Sequence, residues 1–142
     1  MSSNAMRQLE ERHVANEVEM MVWSNRMDLL ALSNVRGEVA LHRLTWQRVW
    51  SLTPPSEGCT VKGMAWRPDG KVIAIGYSTG DFLLVDVENA ETLHNGHVEG
   101  EITCVAWTQE AHTANEDGSS IADRGRFMSQ RHFGLHDLVI MK

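Results

Sequence analysis

Met64-Ala-Trp-Arg-Pro-Asp-Gly-Lys-Val-Ile-Ala-Ile75 is the stretch from which the rest of the chain can be read. Pro68 fixes φ at the first position of a turn and Gly70 accepts the positive φ that closes it, so two strands meet there as a hairpin. The segment has a gap-free counterpart upstream in Met21-Val-Trp-Ser-Asn-Arg-Met-Asp-Leu-Leu-Ala-Leu32, and a shorter one downstream in Val105-Ala-Trp-Thr108. Trp23 and Trp66 stand 43 residues apart, Trp66 and Trp107 41 apart. A second landmark keeps the first of these spacings, because Gly37-Glu-Val-Ala-Leu41 falls on Gly80-Asp-Phe-Leu-Leu84. Two landmarks with one period mark an internal repeat.

A repeat of about 40–45 residues made of short strands is that of a WD40 blade, a four-stranded antiparallel sheet. Leu29 to Leu32 and Val72 to Ile75 are continuous apolar runs, as expected of strands covered on both faces by neighbouring sheets. Glycine and proline interrupt residues 18–107 too often for a helix of about 10–12 periodic residues. Gly96-His97 stands where the glycine-histidine pair of such a repeat belongs, and Asp86 occupies the aspartate of the Trp-Asp pair, with Val85 in place of tryptophan. The first repeat has His42-Arg43 there. The fold class is therefore all-β: WD40-type β-propeller blades, incomplete, with about two blades and part of a third in residues 18–107. Residues 1–17 form an N-terminal segment. Residues 108–142 read as a polar loop and tail, in which Thr108 to Gly125 has little to bury and the apolar run Leu135 to Met141, one strand or a short helical turn, has no place in a blade. A propeller closes with about 4–8 blades, so open apolar faces are expected.

The 142 residues carry a formal charge of -6, which offers no electrostatic footprint for nucleic acid or an anionic membrane. The apolar runs fall far short of the roughly 20 residues that cross a bilayer. With no basic region followed by an apolar one at the N-terminus, the expected location is the nucleus and cytoplasm. Cys59 and Cys104 fit neither a CxxC pair nor a disulfide framework and are expected to be reduced, Cys104 buried on a strand and Cys59 more exposed in a turn-rich stretch. His132 and His136 have the spacing of two ligands on a helix, yet no glutamate, cysteine or third ligand accompanies them, so no metal is expected. Neither a nucleophile elbow nor a phosphate-cradling glycine loop occurs, which leaves catalysis, a cofactor and a small-molecule substrate without an anchor. Arg124-Gly-Arg126 is too short for a basic patch.

The candidate interaction residues are Trp46, Arg48 and Trp50. Strand alternation puts them on one face of residues 45–52, and tryptophan and arginine are enriched in binding hot spots. Packing against the adjacent blade is the commoner fate of such aromatics.

Val22-Trp-Ser-Asn-Arg-Met-Asp-Leu-Leu-Ala-Leu32, Leu41-His-Arg-Leu44, Arg48-Val-Trp-Ser-Leu52 and Ala65-Trp-Arg-Pro-Asp-Gly-Lys71 together resemble the first two blades of the anaphase-promoting complex subunit 4 family. The resemblance spans residues 8–107; the tail departs from it. It implies a non-catalytic scaffold in a large cell-cycle ubiquitin ligase, whose partners are the other protein subunits of that complex. The alternatives are an unrelated WD40 adaptor presenting peptides or substrates to another complex, and a propeller hydrolase or oxidoreductase, for which no convergent carboxylates or cofactor motif are found.

Overall fold

The computed structural model describes residues 6–108, 128–133 and 136–142, with side chains for all but 128–133. Among them are eleven strands in three antiparallel sheets and no helix. The first sheet is β1 (Val18–Trp23), β2 (Leu29–Asn34), β3 (Val39–Arg43) and β4 (Arg48–Leu52), in that spatial order. β5 (Val61–Trp66), β6 (Val72–Tyr77), β7 (Asp81–Asp86) and β8 (Thr92–His97) repeat the arrangement in the second. The third consists of β9 (Cys104–Trp107), β10 (Met128–Phe133) and β11 (His136–Met141).

The hairpins are closed by the residue types that the sequence supplies. At the β5–β6 turn Gly70 has φ +75°, its N–H donates to the Arg67 carbonyl at 2.8 Å, and the Asp69 carboxylate accepts from the Lys71 N–H at 3.0 Å. Asn34 accepts from the N–H groups of Arg36 and Glu38 at the β2–β3 turn, and Asp86 from that of Glu88 at the β7–β8 turn. Short polar side chains that bond to the backbone two residues on make a turn a local decision of the sequence. Register follows, and with it the face on which each side chain lands.

Two cores fill the spaces between the sheets. Leu29, Ala31, Val39 and Leu41 of the first sheet meet Met64, Trp66, Ile73, Ile75, Tyr77 and Val85 of the second. The alternate residues Val72, Ala74, Phe82 and Leu84 point the other way, onto Ile102, Val105, Leu138 and Ile140. β6 is thus buried on both faces, which is why its sequence shows no alternation. One hydrogen bond recurs at both junctions. Trp66 Nε1 donates to the Val22 carbonyl at 3.1 Å, and Trp107 Nε1 to the Ala65 carbonyl at 3.0 Å. In each case the repeated tryptophan reaches back to the residue before the preceding one.

The C-terminal apolar run, which had no place in a blade, forms β11. It lies beside β9, with Val139 opposite Ala106 and Ile140 opposite Val105, and buries Leu138 and Ile140 completely. The third sheet has the order β10-β11-β9, so the strand next to the innermost one arrives last in sequence. Thr108 accepts from the Asp137 N–H at 3.0 Å and fixes that junction. The polar stretch of the tail, residues 109–127, lies outside the described residues.

The two cysteines are placed opposite to expectation. Cys59 is 1% exposed, its thiol directed to the Ser56 carbonyl, while Cys104 is exposed. Cys104 does lie on a strand, but on the face turned away from the second sheet. Cys59 lies in a loop pressed between the first two sheets, where its carbonyl abuts Gly37.

Candidate functional site

Trp46, Arg48 and Trp50 do not share a face. Leu41 pairs with Trp50 and His42 with Arg48, so β4 carries one extra residue at this point, a bulge that inverts the alternation. Trp50 turns towards the second sheet, packs against the core and donates from Nε1 to the Val87 carbonyl at 2.8 Å. Trp46 sits in the turn before β4 with φ +68°, an unusual value for a bulky residue, and its ring stacks on His42 with centroids 4.3 Å apart. Arg48 is exposed and lies with Trp46 and His42 along a cleft of about 340 Å³ on the side turned away from the second sheet, bordered also by residues 13–16. The structure brings Trp46 and Arg48 together and puts Trp50 into a junction.

His42 is a buried polar residue of this cleft, as is Ser33. The Nδ1 of His42 has no hydrogen-bond partner among the described residues. Burial disfavours the charged imidazolium and lowers its pKa; a hydrogen bond to the Trp46 backbone works in the other direction, and the Arg48 charge adds to the lowering. His42 is therefore neutral at pH 7.

A second polar cluster ties β7 to β8. Thr79 Oγ1 donates to one oxygen of Asp81 at 2.7 Å, and His97 Nδ1 lies 3.0 Å from the other. The hydroxyl bond and then the histidine bond hold the Asp81 carboxyl below its ordinary value, against the smaller opposing effect of burial. The glycine-histidine pair of the repeat thus serves to pin the turn that Gly80 makes. His136 stands on a strand and not on a helix, as does residue 132 in the opposite strand, so their spacing loses its helical meaning. Among the described residues no group of three histidine, cysteine or acidic side chains could hold a metal ion.

Sequence reasoning missed the exposed aromatic at the first sheet's outer face. Trp23 is 56% exposed, with Met21 and Leu44 comparably open beside it. The signal was present in the repeat: these residues align with Met64, Trp66 and Val87, all buried where a preceding sheet covers them. At the opposite end Cys104 and Ala106 are exposed, where their counterparts Gly63 and Ala65 meet the next sheet.

The model of the family described as "Anaphase-promoting complex subunit 4 WD40 domain" matches residues 21–110. Among individual proteins, anaphase-promoting complex subunit 4 of Mus musculus is 43% identical over 108 residues, and that of Homo sapiens 43% over 109, each alignment covering 74% of this chain. The chain spans about 13% of the length of these curated relatives. The crystal structure of the RRP9 WD40 repeats superposes on 85% of the chain with a TM-score of 0.62 at 16% identity, covering 34% of that protein's chain. That likeness establishes the propeller fold independently of sequence. The tryptophan repeat, the two complete blades that it builds and the family match across them place this chain in the anaphase-promoting complex subunit 4 WD40 family.

Proposed function

We propose that the chain is a non-catalytic scaffold component of the anaphase-promoting complex, a ubiquitin ligase of the cell cycle, acting by protein–protein contact in the nucleus and cytoplasm. The observation that carries this reading is the 43% identity to subunit 4 across the blades themselves. The surfaces agree with it. They offer exposed Met21, Trp23 and Leu44 on the outer face of the first sheet, and Trp46 with Arg48 at the rim, residue types that serve protein contacts. The acidic composition offers little to nucleic acid.

Affinity purification of the tagged chain from dividing cells, followed by mass spectrometry, tests the proposal. Other subunits of the complex should co-purify, and Trp46→Ala with Arg48→Ala should reduce their recovery. Recovery of one unrelated complex, or of none while the tagged chain is soluble and folded by circular dichroism, overturns it.

A further inference from the structure

Thr53-Pro54 is the one place in the 142 residues where a hydroxyl-bearing residue precedes a proline. It opens the loop, residues 53–60, that carries the chain from β4 to β5. β1, β5 and β9 adjoin along the inner side of the stack, so β4, at the other edge of its sheet, lies on the outer rim. The site is thus built by the first two sheets and the loop between them.

The residues on either side of Thr53 are anchored. Leu52 still pairs with Val39 and packs against the core between the sheets. Pro54 is half-buried against the β2–β3 turn, where a Cβ at Gly37 would lie 3.3 Å from the Pro54 Cβ. Thr53 between them is exposed, and its hydroxyl has no hydrogen-bond partner among the described residues. Other hydroxyls in the turns are committed: Ser24 accepts from the N–H groups of Arg26 and Met27, Ser78 accepts from that of Thr60, and Thr79 donates to Asp81. Proline confines the residue before it to extended backbone, and a second proline, Pro55, keeps the chain extended beyond. The rim therefore presents a free hydroxyl on a short extended segment that is already ordered, so docking it in a cleft costs little further entropy. The position after the acceptor has no N–H, which suits a cleft that offers no acceptor for one.

We infer that Thr53 is a phosphorylation site, the acceptor of a proline-directed serine/threonine kinase. Thr53 Oγ1 attacks the γ-phosphorus of Mg-ATP, the bond from that phosphorus to the β–γ bridging oxygen breaks, ADP leaves, and the hydroxyl proton passes to the catalytic aspartate of the kinase. The product carries about two negative charges at the rim of the first junction. This inference does not rest on membership of the ubiquitin ligase.

The folded chain is incubated with Mg-ATP and two purified proline-directed kinases in turn, one cyclin-dependent and one mitogen-activated, and intact-mass and fragment spectra count and locate the phosphate. One phosphate per chain is expected, on Thr53, with one kinase or both. Thr53→Val should abolish the transfer and Thr53→Ser retain it. Pro54→Ala should slow it at least about tenfold, whereas Pro55→Ala, which leaves a proline next to the acceptor, should not. The folded chain should react within about tenfold of the rate of a synthetic peptide of residues 48–60; a slower folded chain overturns the inference, since the loop would then have to unfold before docking. No transfer by either kinase, a phosphate on another residue instead, or a transfer unchanged by Thr53→Val or by Pro54→Ala also overturns it. The phosphate is located in the unsubstituted chain, so a variant that fails to fold leaves the test intact.

Discussion

Gly58 and Gly80 hold similar backbone angles, φ +78° and +91°, in different surroundings. A Cβ at Gly58 would meet nothing within 4 Å, whereas one at Gly80 would collide with the carbonyl oxygens of Val98 and Gly100. Gly58→Ala should therefore cost only the strain of the left-handed conformation, about 1 kcal/mol. Gly80→Val should cost at least about 3 kcal/mol, because strain and collision act together. Urea denaturation checks the pair, and equal losses would show that the tight approach at Gly80 contributes nothing. His42 yields a pH dependence of definite sign. Its folded pKa is lowered from 6.5, so as pH falls below that value the unfolded chain takes up the proton first and stability declines until the folded pKa is passed. His42→Phe, which retains an aromatic ring against Trp46, should flatten the fall in denaturation midpoint between pH 7.5 and 5.5; an unchanged fall would assign it to other groups. The φ of Gly70 and Gly80 was legible in the sequence because turn chemistry is local. The exposure of Cys59 and Cys104 was not, since it depends on which sheet lies beside the residue and not on the strand or turn that carries it.

Between strands, the tryptophan period located the repeats and the alternation rule then failed at β4. The failure has a single cause: the extra residue opposite Leu41 and His42 reverses every side chain beyond it, and nothing in Arg48-Val-Trp50 announces a bulge. Trp50 consequently became a junction residue, the fate that most aromatics in such a strand share. The indole bonds across the junctions give a measurable quantity. Trp66→Phe keeps most of the buried ring and removes the donor to Val22, and should lower stability by about 1 kcal/mol plus the packing change of the smaller ring. Trp107→Phe should behave alike. Chemical denaturation of both variants checks this, and no loss in either would reduce the recurring bond to an accident of packing.

At the scale of the molecule, the third sheet depends on its last strand. Leu138 and Ile140 are completely buried against the second sheet, so Leu138→Ala should cost about 2–5 kcal/mol. That change should also lower the thermal midpoint, while an unaltered midpoint would mean that β11 is not docked. The run was read as one strand or a short helical turn, and its place in a sheet escaped the sequence reading because the repeat is recognised by strands that follow one another at a fixed period, whereas β11 takes the second position of its sheet after β10 has already passed. The inverted order has a consequence for how the protein is made. Each strand of the first two sheets pairs with the strand synthesised just before it, so these sheets can close while the chain is still growing. β9 must wait for residue 141, across a far longer separation, before it gains its neighbour among the described strands, β11. Until then the freshly translated chain presents the apolar flank of the second sheet to the cell, and it is during this interval at the ribosome, more than after release, that a chaperone would have something to hold.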